Sequence, residues 1–276
     1  MRKIECLSPR GFCFGVKRAL DMLTKAAKEK PYVLHEIVHN DFVVSSFKEQ
    51  GVIFVGNIED IPNGKTLIIS AHGVGKDIYE RAKEKSLKII DTTCPFVKKS
   101  HHFVQVLEQK NLPIILIGKK KHAEIIGTIG QTQNPDNVYV VSDLNDIENL
   151  PFFPQAGVAT QTTLSQTETN ELMKRLSEKI PHLEMQSHVC QASQERQQAV
   201  KDACVWADVV LVVGDKKSSN ANRLVETAKS LGVRSFLISD ETELPALSKD
   251  ENIAITSAAS TPEEITQKVY QRLKTF

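Results

Sequence analysis

Eleven short runs rich in Val, Ile and Leu punctuate the chain: Ile4–Leu7, Tyr32–Leu34, Val52–Val55, Leu67–Ser70, Lys88–Asp91, Ile114–Ile117, Val138–Val141, Gly157–Thr160, Val209–Val213, Ser235–Ile238 and Ile253–Thr256. Between them, apolar residues recur at helical spacing over Val16–Lys28, Phe42–Gln50, Phe96–Gln109, Glu168–Ile180, Gln194–Ala203, Ala221–Leu231 and Glu263–Leu273. A strand that is apolar on both faces has no side to offer to water, so both faces must be covered. Strands of this kind alternating with helices predict an α/β protein with parallel sheets between helical layers. Pro262 followed by Glu263 and Glu264 is the expected chemistry of a helix entry.

A repeat sharpens this expectation. Three times a cysteine stands just before a helical segment: Cys13, Cys94 and Cys190. Each helix is followed by a strand and a polar loop, at 35–40, 118–124 and 214–220, and later by a strand ending in small polar residues, at 70–73, 160–163 and 256–260. Recurrence in the same order predicts three related small α/β units in a pseudo-threefold arrangement, with boundaries near 1–94, 95–190 and 191–276. In parallel sheets ligands bind beyond the carboxyl ends of the strands, which is where these cysteines and loops fall.

Charge and cysteine usage narrow the function. The formal net charge is +1 and no extended basic block occurs, so nucleic acid is not the default partner. No long apolar span predicts a membrane helix, and the first residues lack the apolar core of a secretion signal, so a cytoplasmic location is expected. The five cysteines are dispersed and none forms a C-x-x-C pair, which reads as metal-binding, catalytic or buried thiols rather than a disulfide frame. Cys6, in a strand, and Cys204, late in a helix, read as packing residues.

Cysteine at a strand-to-helix turn lies where backbone amides favour a thiolate. Three such thiolates are a plausible ligand set, either for a zinc with one open position or for an iron–sulfur cluster with one iron unligated by protein; spacing alone does not choose. The loops offer an anion site in His39, His72, His122, Ser218, Ser219, Asn220 and Ser260. Ser218 and Asn220 also read as helix caps. Gly75-Lys76-Asp77 is not a phosphate-binding glycine loop, and no G-x-G-x-x-G follows the first strand, so a nucleotide is not implied. Glu124, two residues after His122, is the candidate proton donor, because a carboxyl away from water and near an anion holds its proton. Thr162 and Thr163 are candidates to orient a substrate hydroxyl, and they also read as a strand end feeding a helix. His101 and His102 carry no motif and read as surface positions.

The motifs Pro-Arg-Gly-Phe-Cys at 9–13, Val-His-Asn at 38–40, Ser-Ala-His-Gly at 70–73, Asp-Thr-Thr-Cys-Pro at 91–95, His-Ala-Glu at 122–124, Gln-Thr-Thr-Leu-Ser at 161–165 and Ser-Ser-Asn-Ala-Asn-Arg-Leu at 218–224 occur in this order. Together they resemble the 4-hydroxy-3-methylbut-2-enyl diphosphate reductases over essentially the whole chain. The resemblance implies a trefoil-like fold of three lobes around a central [4Fe–4S] cluster, with Cys13, Cys94 and Cys190 as its ligands. It implies a diphosphate site at His39, His72, His122, Ser218, Ser219, Asn220 and Ser260, with Thr162 at the substrate hydroxyl and Glu124 as proton source. The implied reaction is a two-electron, two-proton removal of that hydroxyl, bound at the open iron, giving isopentenyl and dimethylallyl diphosphates. Electrons would come from a ferredoxin or flavodoxin, and monomer is the default state. The chain departs from the family pattern at Phe14, Ala123, Ala258 and Gln191-Ala192-Ser193. A hydro-lyase using the same open iron, or a sensor of a phosphorylated metabolite, would share the ligand set; dependence on an external reductant is what separates the first from the reductase, and a proton donor at Glu124 argues against the second.

Overall fold

The computed structural model describes residues 2–275. In chain order its elements are β1 (Ile4–Cys6), α1 (Phe14–Ala26), β2 (Tyr32–Leu34), α2 (Asp41–Glu49), β3 (Ile53–Val55), β4 (Thr66–Ile69), α3 (Lys76–Glu84), β5 (Lys88–Asp91), α4 (Pro95–Gln109), β6 (Ile114–Ile117), α5 (Ala123–Ile129), β7 (Val138–Val141), α6 (Leu144–Glu148), β8 (Gln155–Thr160), α7 (Gln166–Lys179), β9 (His182–Gln186), α8 (Gln191–Ala203), β10 (Val209–Val213), α9 (Ser219–Ser230), β11 (Arg234–Ile238), β12 (Ile253–Ser257) and α10 (Glu263–Lys274).

The strands form three four-stranded sheets, ordered β3-β2-β4-β5, β7-β6-β8-β9 and β11-β10-β12-β1. Every pairing is parallel. This is the α/β architecture expected from the alternating apolar runs. All three sheets share one internal order, and in each the fourth strand (β5, β9 or β1) is followed by one of the three cysteines. The third copy takes its fourth strand from the other end of the chain: Ile4 pairs with Ile253 and Cys6 with Ile255. Cutting the sequence at 94 and 190 groups Ile4–Leu7 with the strands of residues 32–91, whereas its hydrogen bonds go to the C-terminal sheet. Nothing local to a three-residue strand specifies its partner.

Two compact units are distinguishable. One comprises Met1–Lys17, Val38–Ser46 and Cys190–Phe276 and contains the β1/β10–β12 sheet. Successive residues of a strand face opposite ways. Val210, Val212 and Ala254 therefore pack with Val200 and Ala203 of α8 and with Ala221, Leu224 and Ala228 of α9. Val209, Leu211, Val213, Ile253 and Ile255 pack with Ile265, Val269 and Leu273 of α10. Cys6 and Cys204 lie against these cores, as packing residues do.

The other unit comprises Arg18–Ile37 and Phe47–Val189 and contains the remaining two sheets. Ile115, Ile117 and Val158 pack with Leu172 and Leu176 of α7, while Ile114, Leu116 and Ala159 face Val104 and Leu107 of α4 and Ile125 of α5. Gly157 allows α4 to lie on β8: a Cβ there would overlap the Leu107 side chain. No helix among the described residues is long and apolar enough to cross a membrane.

Four elements lie outside the predicted set. β9 is a largely exposed edge strand with no apolar run. α3 is mostly charged and buries Ala82 fully, and α5 and α6 are too short to show a helical period.

Candidate functional site

Each of the three cysteines precedes a helix. Cys94 is the N-cap of the 15-residue α4, with Pro95 in its first turn, and Cys190 is the N-cap of the 13-residue α8. The Cys13 carbonyl accepts the Lys17 amide at 2.9 Å, so it opens α1. Helix starts complement anionic groups through their unpaired amides. None of the five cysteines is in a disulfide, and Cys13, Cys94 and Cys190 are all partly exposed.

In the unit with two sheets, Glu124 stands in the first turn of α5 and is 2 % exposed. The Thr162 amide donates to its Oε1 at 2.7 Å, and the Thr162 hydroxyl donates to Oε2 at 2.8 Å. Burial pushes the Glu124 carboxyl up to about 7, against the smaller lowering by the two Thr162 bonds. At neutral pH it is poised to hold or release a proton. His122 caps α5: its Nδ1 accepts the Glu124 amide at 3.1 Å, which leaves the proton of the neutral ring on Nε2. His72 meets His122 edge-on, with ring centroids 5.6 Å apart.

Glycines make that approach possible. A Cβ on Gly130 would lie 2.6 Å from Gly75 Cα, and one on Gly127 would lie 3.0 Å from the Gly73 carbonyl oxygen. The Lys76 amide donates to Gly130 O at 2.8 Å, and Gln131 Nε2 donates to Val74 O at 2.6 Å. The same 70–75 loop receives the Cys94 amide on Ala71 O at 3.0 Å. Cys94, His72, His122, Glu124 and Thr162 are thus linked by one connected set of backbone and side-chain contacts.

In the other unit, the Cys13 amide donates to Ala259 O at 3.1 Å, and the Ala259 amide donates to Asn220 Oδ1 at 2.9 Å. Asn220 Nδ2 reaches Ser193 Oγ at 3.5 Å, and Ser193 Oγ contacts Cys190 Sγ at 3.2 Å. A single chain of contacts therefore links Cys13, Asn220 and Cys190. Ser218 is the N-cap of α9 and accepts the Ala221 amide, and Ser219 and Asn220 occupy its buried first turn. The Ser260 hydroxyl donates to His39 O at 3.0 Å, and Asn40 caps α2 immediately after His39. Ala258 faces Gly214 and is fully buried.

One expectation is corrected. His101 is buried rather than at the surface: its ring lies against Gly73 and Thr93, and its Nε2 has no hydrogen-bond partner. Burial lowers its pKa to about 4, so it is neutral. Two residues near the cysteines also escaped the motif reading, Ser193 and Arg196. Their signal was present: Ser193, Arg196, Gln197 and Val200 form one buried stripe of α8, so polar residues stand where the helical period calls for apolar ones.

The LytB protein family model matches residues 4–274. A 4-hydroxy-3-methylbut-2-enyl diphosphate reductase of Haemophilus influenzae strain PittEE is 41% identical over 99% of this chain and 90% of its own length. The reductase of Tolumonas auensis is 41% identical over 98% of this chain and 91% of its own. Among solved structures, the E-1-hydroxy-2-methyl-but-2-enyl-4-diphosphate reductase of Plasmodium falciparum superposes with a TM-score of 0.94 at 39% identity, covering 98% of this chain and 87% of that one. A second, described as the terminal enzyme of the non-mevalonate pathway, gives 0.71 at 32% identity over the full length of both. Fold and relatives together define the class: an α/β oxidoreductase. The chain belongs to the LytB protein family.

Proposed function

We propose that this chain reduces 4-hydroxy-3-methylbut-2-enyl diphosphate to isopentenyl and dimethylallyl diphosphates, in the cytoplasm and as a monomer, with electrons from a ferredoxin or flavodoxin. The C–O bond to the hydroxyl breaks. The hydroxyl leaves as water with one proton, and the carbon skeleton takes the second proton with the two electrons. In this reading three related lobes, near 1–94, 95–190 and 191–276 with β1 completing the third, carry one cysteine each.

We assign Cys13, Cys94 and Cys190 as ligands of a [4Fe–4S] cluster. The donor set fits: three thiols outside disulfides, each at a helix start, two of them beside the buried cation Arg196. Among the described residues no group of three or more His, Cys, Asp or Glu side chains is placed to hold a single metal ion. When bound, such a cluster supplies electrons and a Lewis-acidic iron.

The diphosphate is assigned to His39, His72, His122, Ser218, Ser219, Asn220 and Ser260. An Nε2–H on His122, a buried Ser219 and the amides at the start of α9 are donors of the kind an anion needs. Thr162 orients the hydroxyl that leaves, and Glu124 delivers protons. The Glu124–Thr162 pair carries this reading, because a carboxyl sealed from water with its pKa near 7 is built for proton delivery at neutral pH.

The test is anaerobic. After reconstitution with iron and sulfide, the protein is expected to oxidise reduced viologen only when the substrate is added. An intact cluster with no substrate-dependent oxidation would overturn the assignment. Cys94→Ser is expected to lose iron and activity together.

A further inference from the structure

Arg196 lies in the second turn of α8 and is 2 % exposed. Its Nη2 donates to Gly11 O at 2.7 Å, two residues before Cys13. Its Nη1 donates to Ala192 O at 2.9 Å, two residues after Cys190. Its Nε has no hydrogen-bond partner, and among the described residues no carboxylate forms an ion pair with it. Gly11 is held from its other side as well, through its amide to Ser257 Oγ at 2.8 Å.

A guanidinium sealed from water without a counter-ion is costly, by several kcal/mol. It cannot escape the cost by losing its proton, as a carboxyl can. Such a group persists where anions stand close by. Burial lowers the Arg196 pKa, and Cys13, Cys190 and then Glu195 oppose that lowering. Two of the three groups whose negative charge would answer this guanidinium are therefore cysteine sulfurs.

We propose that Arg196 is a positioning residue for the redox centre, tying the Cys13 turn to the start of α8 and holding a fixed positive charge beside the Cys13 and Cys190 sulfurs. The proposal rests on the assignment of those cysteines as cluster ligands. A neighbouring positive charge stabilises the more negative, reduced form of a cluster and raises its potential. The two carbonyl bonds use the planar fork of arginine, which lysine lacks.

The experiment uses the full-length protein, reconstituted anaerobically, as parent, Arg196→Met and Arg196→Lys. Iron and sulfide are counted per chain, the fold is checked by circular dichroism, and the cluster is titrated against redox mediators. For R196M, the ratio of reduced to oxidised cluster at a fixed potential is expected to fall about tenfold, a shift of about 59 mV for one electron. R196K is expected to keep the parent ratio while losing iron to a chelator several-fold faster. If R196M fails to load but R196K loads at the parent potential, the charge role stands. An unchanged ratio in fully loaded R196M, or equal loss of cluster from both variants, overturns it. A parent protein that binds no cluster refutes the ligand assignment instead, so the two failures are distinguishable.

Discussion

Glu124 and Arg196 are both ionisable and both nearly sealed from water, yet the molecule treats them in opposite ways. Glu124, in the unit built on two sheets, receives both Thr162 bonds, and burial still lifts its pKa to about 7. Arg196, in the unit built on one sheet, keeps an unpartnered Nε and has no ion pair with a carboxylate among the described residues. A carboxyl can shed its charge within the biological range and a guanidinium cannot. The first site is suited to moving a proton and the second to holding a fixed field.

The largest test of this contrast is Glu124→Gln. It keeps the shape but removes the transferable proton, so turnover should fall by about 10²–10⁴ with iron content and substrate binding intact. Steady-state viologen assays with an iron count decide it; undiminished turnover removes Glu124 from the mechanism.

Glu124 also makes stability depend on pH. Its folded pKa is raised from 4.5, so the stabilising neutral form is fully present below about 4.5 and its contribution is lost as pH rises to about 7. That contribution is about 3 kcal/mol. Other carboxylates titrate in both proteins, so the parent-minus-variant difference isolates Glu124. Melting of parent and E124Q at pH 5 and pH 8 should show the variant gaining relative stability at pH 8. A constant difference would mean the carboxyl is not buried as described.

Gly130→Ala probes the backbone that holds His72 against His122. The added Cβ meets Gly75 Cα at 2.6 Å, where no flexible side chain can yield. A cost of about 1–3 kcal/mol is expected, with KM for the diphosphate raised more than kcat is lowered. An unaltered melting temperature and KM would show that the two loops separate freely.

Thr162→Val is the mildest change. The amide bond to Oε1 survives and only the hydroxyl donor is lost, so the Glu124 pKa should rise further and the alkaline limb of the pH–rate profile should move up. Turnover should drop roughly tenfold, in line with the loss of one hydrogen bond to a charged group. If the profile stays in place, Thr162 acts on substrate alone.

Much of this was legible from the sequence because its signals are local. Val209–Val213 is buried throughout and could only be an inner strand. Ser218 and Pro95 mark helix starts by their own chemistry. Edge strand β9 was hidden because an exposed strand needs no apolar run. The burial of His101 is not legible locally, because its ring packs against Gly73 of a loop distant in sequence. Arg196 carries a local signal only in the polar stripe of α8, where the helical period calls for apolar residues.

By itself the sequence determined the α/β class, the recurrence of cysteine, helix and polar loop, and the candidates Cys13, Cys94, Cys190, Glu124 and Thr162. Those properties reside in runs of a few residues, where backbone sterics, hydrophobic period and capping act over a turn or a strand. Tertiary structure alone decided that β1 completes the C-terminal sheet, that glycine contacts bring His72 to His122, and that burial lifts the Glu124 pKa while Arg196 keeps its charge. Strand partners and desolvation depend on which distant segments arrive to pair and to exclude water, and no short stretch of chain carries that information.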